Sequence, residues 1–136
     1  MILLDTTVLV YAVGEEHPLA ESARALMDQI RTGALRAHTT PEVIQEFAHV
    51  RARRRTRQDA TTLARAFSTL LSPLQLVGPQ HLEAGLSLWA ATPALGAFDS
   101  VLAALALSLD AELVSADRAF ADVPGLRWQP LLKGDA

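Results

Sequence analysis

The amino-acid sequence predicts an α/β fold, a three-layer α/β/α sandwich with a central, mostly parallel β-sheet. Short apolar segments alternate along the chain with longer segments whose apolar residues recur at helical spacing, a pattern typical of parallel sheets covered by helices. Aromatic residues make up only 5% of the 136 residues. The core must therefore consist mainly of leucine, alanine and valine, which favours helices on a sheet over a β-sandwich. The length fits a single domain spanning residues 1–136.

The clearest strand prediction is Ile2–Leu4, a short apolar run that ends at Asp5 and fits a buried strand. A weaker second strand is predicted at 35–39. A third is predicted at 74–77, where Gly78-Pro79 closes it. The fourth strand is Glu112–Ser115, and an edge strand is predicted at 126–129.

The best-defined helix start is Thr40-Pro41-Glu42. It combines a capping threonine, a proline in the first turn and an acid near the positive end of the helix. The segment 98–109 is apolar nearly all round, so that helix is expected to be buried. The apolar run 6–13 ends at Gly14, and a helix restarts at His17-Pro18. Further helices are predicted at 59–71 and 80–91, with a short helical turn at 116–121.

The composition excludes several classes of protein. The chain contains no cysteine, which rules out disulfides, thiolate metal sites and a cysteine nucleophile. Its first residues lack the basic and long apolar regions of a signal peptide. The most apolar stretch, 101–109, is much shorter than the roughly 20 residues that a membrane helix requires. We therefore expect a soluble, cytoplasmic protein without a membrane partner.

The basic residues are concentrated in one short segment. The net charge is −3, which argues against general affinity for nucleic acid. Five of the 12 basic residues nevertheless fall within one heptapeptide, which can hold a phosphate backbone locally. The alternative is a solvated helix end, where cations suit the negative terminus. The candidate RNA-binding residues are Arg51, Arg53, Arg54, Arg55 and Arg57, with Arg118 as a further candidate.

Four acidic residues are the candidate chemical groups. Asp5 and Asp117 each follow a predicted strand, at the edge of the sheet where open α/β folds bind ligands. Asp99 opens the apolar helix. The alternative for these three is a helix cap or a first-turn acid that complements the helix dipole. Glu46 lies on the apolar stripe of its helix, where a charge costs several kcal/mol unless it is paired or bound to a cation.

Convergence of these acids would require a cation or shared protons. Two carboxylates about 4 Å apart repel each other by about 4 kcal/mol at an effective dielectric constant near 20. An oxygen-only ligand set favours Mg²⁺ or Mn²⁺ over zinc. The four histidines do not show the close spacing of zinc ligands.

Four segments together resemble the PIN-domain family. They are LDTTVLVY at 4–11, PEVIQEF at 41–47, FDSVLAALA at 98–106 and LVSADRAF at 113–120. Each is weak alone, but the four occur in the family's order and span nearly the whole chain. The short length is most similar to the VapC type, the toxin half of a bacterial toxin–antitoxin pair.

The resemblance implies a Mg²⁺-dependent endoribonuclease, with Mn²⁺ as a possible substitute. Asp5, Glu46, Asp99 and Asp117 match the family's catalytic acids, and Asp5, Asp99 and Asp117 are the expected metal ligands. Thr7 and Ser115 match supporting hydroxyl positions. One departure is Ala119, where some relatives carry a further acid, so a second metal would be held weakly. The implied partners are an RNA substrate, a small antitoxin and a second copy of the chain in a homodimer.

Rival interpretations differ in how well the residues fit them. A haloacid-dehalogenase phosphotransferase needs a second aspartate at the position of Thr7, and a receiver domain needs a lysine after a late strand. The only lysine is Lys133, at the tail. Three alternative functions of a PIN fold stay open. They are a binding module with little activity, a nuclease that acts on DNA, and a nuclease in RNA processing without an antitoxin.

Overall fold

A three-stranded parallel sheet lies at the centre of the computed structural model, which describes residues 1–131. The strands are β1 (Ile2–Leu4), β2 (Glu112–Ser115) and β3 (Arg127–Pro130), in the order β1-β2-β3. Leu3 lies opposite Leu113, which lies opposite Trp128. Because the strands are parallel, their carboxyl ends meet at one edge of the sheet, and Asp5 and Asp117 follow at that edge. The predicted α/β fold with a parallel sheet is confirmed.

Helices connect and surround the strands. The core joins both kinds of element: Leu3, Leu4 and Leu113 are completely buried, and Phe47 packs edge-on against Phe67 with ring centroids 5.1 Å apart. Within residues 1–131 the helices are α1 (Thr6–Val13), α2 (Ala20–Arg31), α3 (Pro41–Arg54), α4 (Arg57–Leu70), α5 (Pro79–Ala91) and α6 (Ala97–Ser108), followed by a 3-10 helix at Arg118–Asp122.

Threonine caps fix the start of α3 and of α4. The Thr40 hydroxyl accepts a hydrogen bond from the Val43 amide at 3.1 Å, as the sequence predicts. The Thr56 hydroxyl accepts one from the Asp59 amide at 3.0 Å. This second cap starts α4 at Arg57, two residues before the predicted start at Asp59, because a threonine before the helix satisfies amides that have no partner within it.

Two of the predicted strands are wrong. The segment 35–39 contributes only one parallel bridge, between Leu3 and His38, because the chain turns into α3 at Thr40. The segment 74–77 is not a strand: the Gln75 amide donates to the Thr39 carbonyl at 2.8 Å, but Leu76 is 74% exposed. Neither segment forms a ladder with the sheet.

The remaining element predictions agree with the structure to within three residues. In the part of the chain that the structure describes, none of the helices is long and apolar enough to cross a membrane. The interpretation of residues 1–136 as one domain stays a prediction. It includes residues 132–136, among them Lys133, which lie outside the described residues.

Candidate active site

Asp5 is a buried carboxylate at the carboxyl end of β1. Its side chain does not cap α1, although it directly precedes that helix. Instead, the Ser115 hydroxyl donates to Asp5 Oδ2 at 2.7 Å, and the Thr7 hydroxyl donates to the same oxygen at 3.0 Å. Burial raises the Asp5 pKa, while the bonds from Ser115 and Thr7 act in the opposite direction. The fold thus keeps an acid in a dry position and orients it with two hydroxyls.

The same two hydroxyls connect the ends of β1 and β2. The Thr7 oxygen accepts a hydrogen bond from the Ala116 amide at 3.0 Å, and the Ser115 oxygen accepts one from the Asp117 amide at 3.0 Å. Asp117 follows β2, and its own carboxylate accepts from the Ala119 amide at 2.9 Å. The alternative role of Asp117 as a cap therefore exists in the structure. Its side chain is also exposed, which leaves it accessible to a ligand.

The four candidate acids line one open cleft. The cleft has a volume of about 370 Å³ and is lined by Asp5, Glu46, Asp99 and Asp117 together with residues of α1 and α3. The acids come from four different parts of the chain: the ends of β1 and β2, the middle of α3 and the first turn of α6. The parallel sheet and its crossover helices therefore bring together residues that are up to 112 positions apart in the sequence.

The surroundings of these acids raise the pKa values of Asp5, Glu46 and Asp99. The pKa of Asp99 rises from 3.8 to about 7, because the side chain is half-buried and because Asp5, Asp117 and Glu46 carry like charge. Burial also raises the pKa of Glu46, and Asp5 raises it further. Like charges that disfavour one another's ionisation are typical of functional sites.

The oxygen-rich lining fits a hard divalent cation, although the ligands do not form a closed cage. Among residues 1–131, no three Asp, Glu or His side chains converge closely enough to form a complete metal site. Mg²⁺ commonly binds through one or two carboxylates and keeps several waters, which suits this open arrangement. The buried Thr6 hydroxyl in the cleft wall lies beside Glu46, and its hydrogen bond lowers the pKa of that carboxyl.

The arginine-rich segment divides into residues with different surroundings. Arg54 lines the carboxylate cleft. Arg51 is largely buried: its guanidinium bonds Asp59 at 2.6 Å and the Val13 carbonyl at 3.0 Å. Arg55 lies 3.7 Å from Glu15. Arg53, Arg57 and Arg118 are exposed.

Sequence reasoning missed part of the cleft wall. Val10, Tyr11 and Val50 line the cleft beside the acids. The spacing contains a signal for them, because residues four apart share a helix face. Tyr11 lies four residues after Thr7, and Val50 lies four residues after Glu46 and four before Arg54. His49, which the sequence also places near Glu46, is exposed and lowers the Glu46 pKa only as a neighbouring charge.

Comparisons with known proteins agree with this architecture. The family model described as "PIN domain" matches residues 2–126. The chain is 53% identical over 128 residues to ribonuclease VapC7 of Mycobacterium tuberculosis, which covers 90% of this chain and 86% of the relative. It is 34% identical over 102 residues to ribonuclease VapC23 of the same species, covering 73% of this chain and 78% of the relative.

Solved structures share the fold at low sequence identity. VapBC2 from Rickettsia felis, bound to a DNA fragment from its promoter, superposes with a TM-score of 0.73 at 17% identity, covering 96% of this chain and 98% of that one. DNA-bound VapBC from Salmonella typhimurium gives a TM-score of 0.75 at 16% identity, covering 96% and 97%. The chain therefore belongs to the PIN-domain family, and within that family to the VapC type.

Proposed function

We propose that the chain is a Mg²⁺-dependent endoribonuclease, the toxin of a type II toxin–antitoxin pair, which hydrolyses phosphodiester bonds at the four-carboxylate cleft. The observation that carries the proposal is the convergence of Asp5, Glu46, Asp99 and Asp117 on one cleft, where burial and the three neighbouring acids raise the pKa of Asp99. The 53% identity to a ribonuclease over most of both chains supports RNA as the substrate. RNA as substrate in turn implies a cytoplasmic enzyme.

The acids have distinct roles in the proposed reaction. Asp5, Asp99 and Asp117 would hold the metal ion, with Asp5 and Asp99 as the principal ligands and with waters completing the coordination. Both hydroxyl bonds to Asp5 are made to Oδ2, and they would hold the carboxylate in a fixed orientation for an ion. A bound Mg²⁺, or Mn²⁺ in its place, supplies an acidified water and neutralises charge on the phosphate. Glu46 orients the attacking water.

The raised pKa of Asp99 sets a pH requirement on this arrangement. A carboxyl with a pKa of about 7 holds a proton in a large fraction of metal-free molecules at neutral pH. Cation binding must then displace that proton, since only the ionised carboxylate is a ligand. The proposal thus predicts that metal affinity increases as the pH rises through 7.

The proposed protein partners are an antitoxin and a second copy of the chain. The two solved neighbours are VapBC complexes bound to DNA, which supports an antitoxin as the partner of this chain. An acidic cleft of this size suits a basic side chain from the antitoxin's tail, which would block the site. The homodimer is proposed by family analogy.

Expression in a bacterial host tests the function. We expect the wild-type chain to arrest growth and to produce new RNA 5′ ends, and we expect Asp99→Asn to do neither. Asp28→Asn is the matched control, because Asp28 is an exposed acid paired with Arg31 on α2, outside the cleft. Growth arrest by Asp99→Asn as well would contradict the proposal and favour a PIN-fold binding module. RNA cutting without growth arrest would favour an RNA-processing nuclease that has no antitoxin.

A further inference from the structure

We propose that the wall of the cleft beyond the carboxylates is a nucleobase-binding subsite, in which Tyr11 stacks on a base next to the phosphate that is cut. The inference rests on the proposed function and specifies how that site recognises its substrate. It concerns Val10, Tyr11, Val50 and Arg54, which line the same cleft as the four acids.

The side chains that line the cleft change from acidic to apolar to basic along α1 and α3, the two helices that form its walls. On α3, Glu46, Val50 and Arg54 follow one another at four-residue intervals, so acid, apolar and basic groups are each about 6 Å apart along the axis. On α1, Thr7 lies beside the acids and Tyr11 lies one turn further on. An apolar, aromatic section thus separates the carboxylates from a cation. With one phosphate at the carboxylate end, a base attached to a neighbouring ribose could lie against the apolar section, and Arg54 could contact a further phosphate of the strand.

The Tyr11 ring packs against the ring of His17. The His17 ring lies 4.6 Å from the Tyr11 ring between centroids, with the planes tilted by 32°. His17 is itself fixed, since its Nδ1 accepts a hydrogen bond from the Leu19 amide at 3.1 Å. Tyr11 is half-buried and lines the cleft. A ring that is already oriented loses little conformational entropy when it binds a ligand.

Two arginines hold the end of α1 that carries Tyr11. Arg24 donates to the Ala12 carbonyl at 3.3 Å and to the Gly14 carbonyl at 2.9 Å. Arg51 donates to the Val13 carbonyl at 3.0 Å and so joins α1 to α3. The two walls of the subsite are therefore fixed relative to each other, which suits a site that selects a flat ligand.

The size and chemistry of the cleft fit a nucleotide better than an ion alone. Its volume of about 370 Å³ falls in the usual range of about 300–1,000 Å³ for small-ligand sites, whereas one water occupies only about 30 Å³. Aromatic side chains beside cations are the standard means of holding single-stranded nucleic acid, because every base offers a flat face for stacking.

Binding of single-stranded RNA tests the subsite without cleavage. Fluorescence anisotropy would measure the Kd of Asp99→Asn protein in EDTA for a labelled random RNA decamer and for a decamer that lacks all bases. Adding Tyr11→Leu to this protein should raise the Kd for the decamer with bases about tenfold, equal to about 1.4 kcal/mol. The Kd for the base-free decamer should change less than twofold. Tyr11→Phe, which keeps the ring, should change neither value more than twofold.

Two further variants make the result specific. Val50→Ala alters the opposite wall without touching α1, and should weaken binding only of the decamer with bases, by two- to threefold. Trp89→Leu is the control, because Trp89 is an aromatic residue that is 50% exposed on α5 and outside the cleft. It should leave both Kd values unchanged.

The outcomes separate this inference from the proposed function. If Tyr11→Leu weakens both decamers equally, or neither, the base subsite is overturned while RNA binding stands, and an unaffected RNA affinity would assign this wall to a protein segment. If none of the proteins binds either decamer, the subsite is overturned, and the ribonuclease proposal is decided separately by RNA cleavage with Mg²⁺. A selective loss with the base-containing decamer supports both.

Discussion

The Ser115 hydroxyl donates to Oδ2 of Asp5 at 2.7 Å and joins the ends of two neighbouring parallel strands. The two residues are 110 positions apart in the sequence, yet both are almost completely buried. The bond links Asp5 to the end of β2, the strand that Asp117 follows. A single hydroxyl thus helps to set the separation of Asp5 and Asp117 and also favours the ionised form of Asp5.

Removal of that hydroxyl should destabilise the fold. Ser115→Ala leaves a buried carboxylate with one hydroxyl partner fewer and also removes the acceptor of the Asp117 amide. We expect a loss of about 1–3 kcal/mol in the free energy of unfolding, measured by urea denaturation at pH 7. Ser87→Ala on the exposed side of α5 should change it by less than about 0.5 kcal/mol. Equal stabilities for the two variants would show that the Ser115–Asp5 bond contributes nothing.

Asp99→Asn should stabilise the metal-free protein at alkaline pH. The folded-state pKa of Asp99, about 7, lies above the model value of 3.8. A raised acid pKa lowers stability as the pH rises from about 4 to about 7, because the unfolded chain releases the proton first. Below pH 4 the penalty is absent; above pH 7 it is complete. After allowance for solvent at this half-buried group, Asp99→Asn should gain about 2 kcal/mol at pH 8.

Urea denaturation in EDTA at pH 4.5 and pH 8 would measure this difference. The gain at pH 8 should exceed the gain at pH 4.5 by at least about 1 kcal/mol. Asp28→Asn should show no such pH dependence. A constant effect of Asp99→Asn across this range would mean that neither burial nor the neighbouring acids raise the pKa of Asp99 in the folded protein.

Mg²⁺ should offset the loss of stability that ionisation of Asp99 causes. We expect millimolar Mg²⁺ to raise the thermal midpoint of the wild-type protein at pH 8, because a ligand that binds only the folded state stabilises it. The shift should be much smaller at pH 5, where Asp99 keeps its proton, and absent in Asp99→Asn. Differential scanning calorimetry would measure it. A shift that persists in Asp99→Asn would place the ion elsewhere on the chain.

Arg54 and Arg53 should differ in their contribution to RNA binding. Arg54 lines the cleft, whereas Arg53 is exposed outside its lining. Arg54→Ala should reduce the slope of log K against log salt by about 0.7, the value for one contact to a single-stranded phosphate. Arg53→Ala should leave the slope nearly unchanged. Equal reductions would mean that the whole arginine segment, and not the cleft, holds the RNA.

Arg51 is expected to act on stability rather than on RNA. Its guanidinium joins α3 to Asp59 of α4 and to the Val13 carbonyl at the end of α1. Arg51→Ala should reduce the free energy of unfolding by about 1–3 kcal/mol, since it leaves partly buried acceptors without a donor. Its salt slope for RNA binding should stay within error of wild type. A reduced slope with unchanged stability would restore Arg51 as a phosphate contact.

Local signals made much of this fold predictable. Ile2–Leu4 and Glu112–Ser115 have the predicted bounds because short apolar runs between polar ends have few alternatives. Segments 35–39 and 74–77 also look like strands, but strand formation depends on a partner at the sheet edge, which local sequence does not encode. Asp5 and Asp117 were found at strand ends, Glu46 on a helix stripe, and Asp99 at the start of the apolar helix. Tyr11 was missed because an aromatic residue on an apolar helix resembles a core residue until the neighbouring helix is placed.

The most direct test is cleavage of total cellular RNA by the purified, antitoxin-free protein with Mg²⁺ and with EDTA, beside Asp99→Asn and Asp28→Asn. We predict discrete RNA fragments with Mg²⁺ from the wild-type and Asp28→Asn proteins, and intact RNA in EDTA or with Asp99→Asn. Sequencing of the fragment ends would give the bond that is cut. Intact RNA with all proteins, or cutting that continues in EDTA or with Asp99→Asn, would contradict a carboxylate–metal ribonuclease.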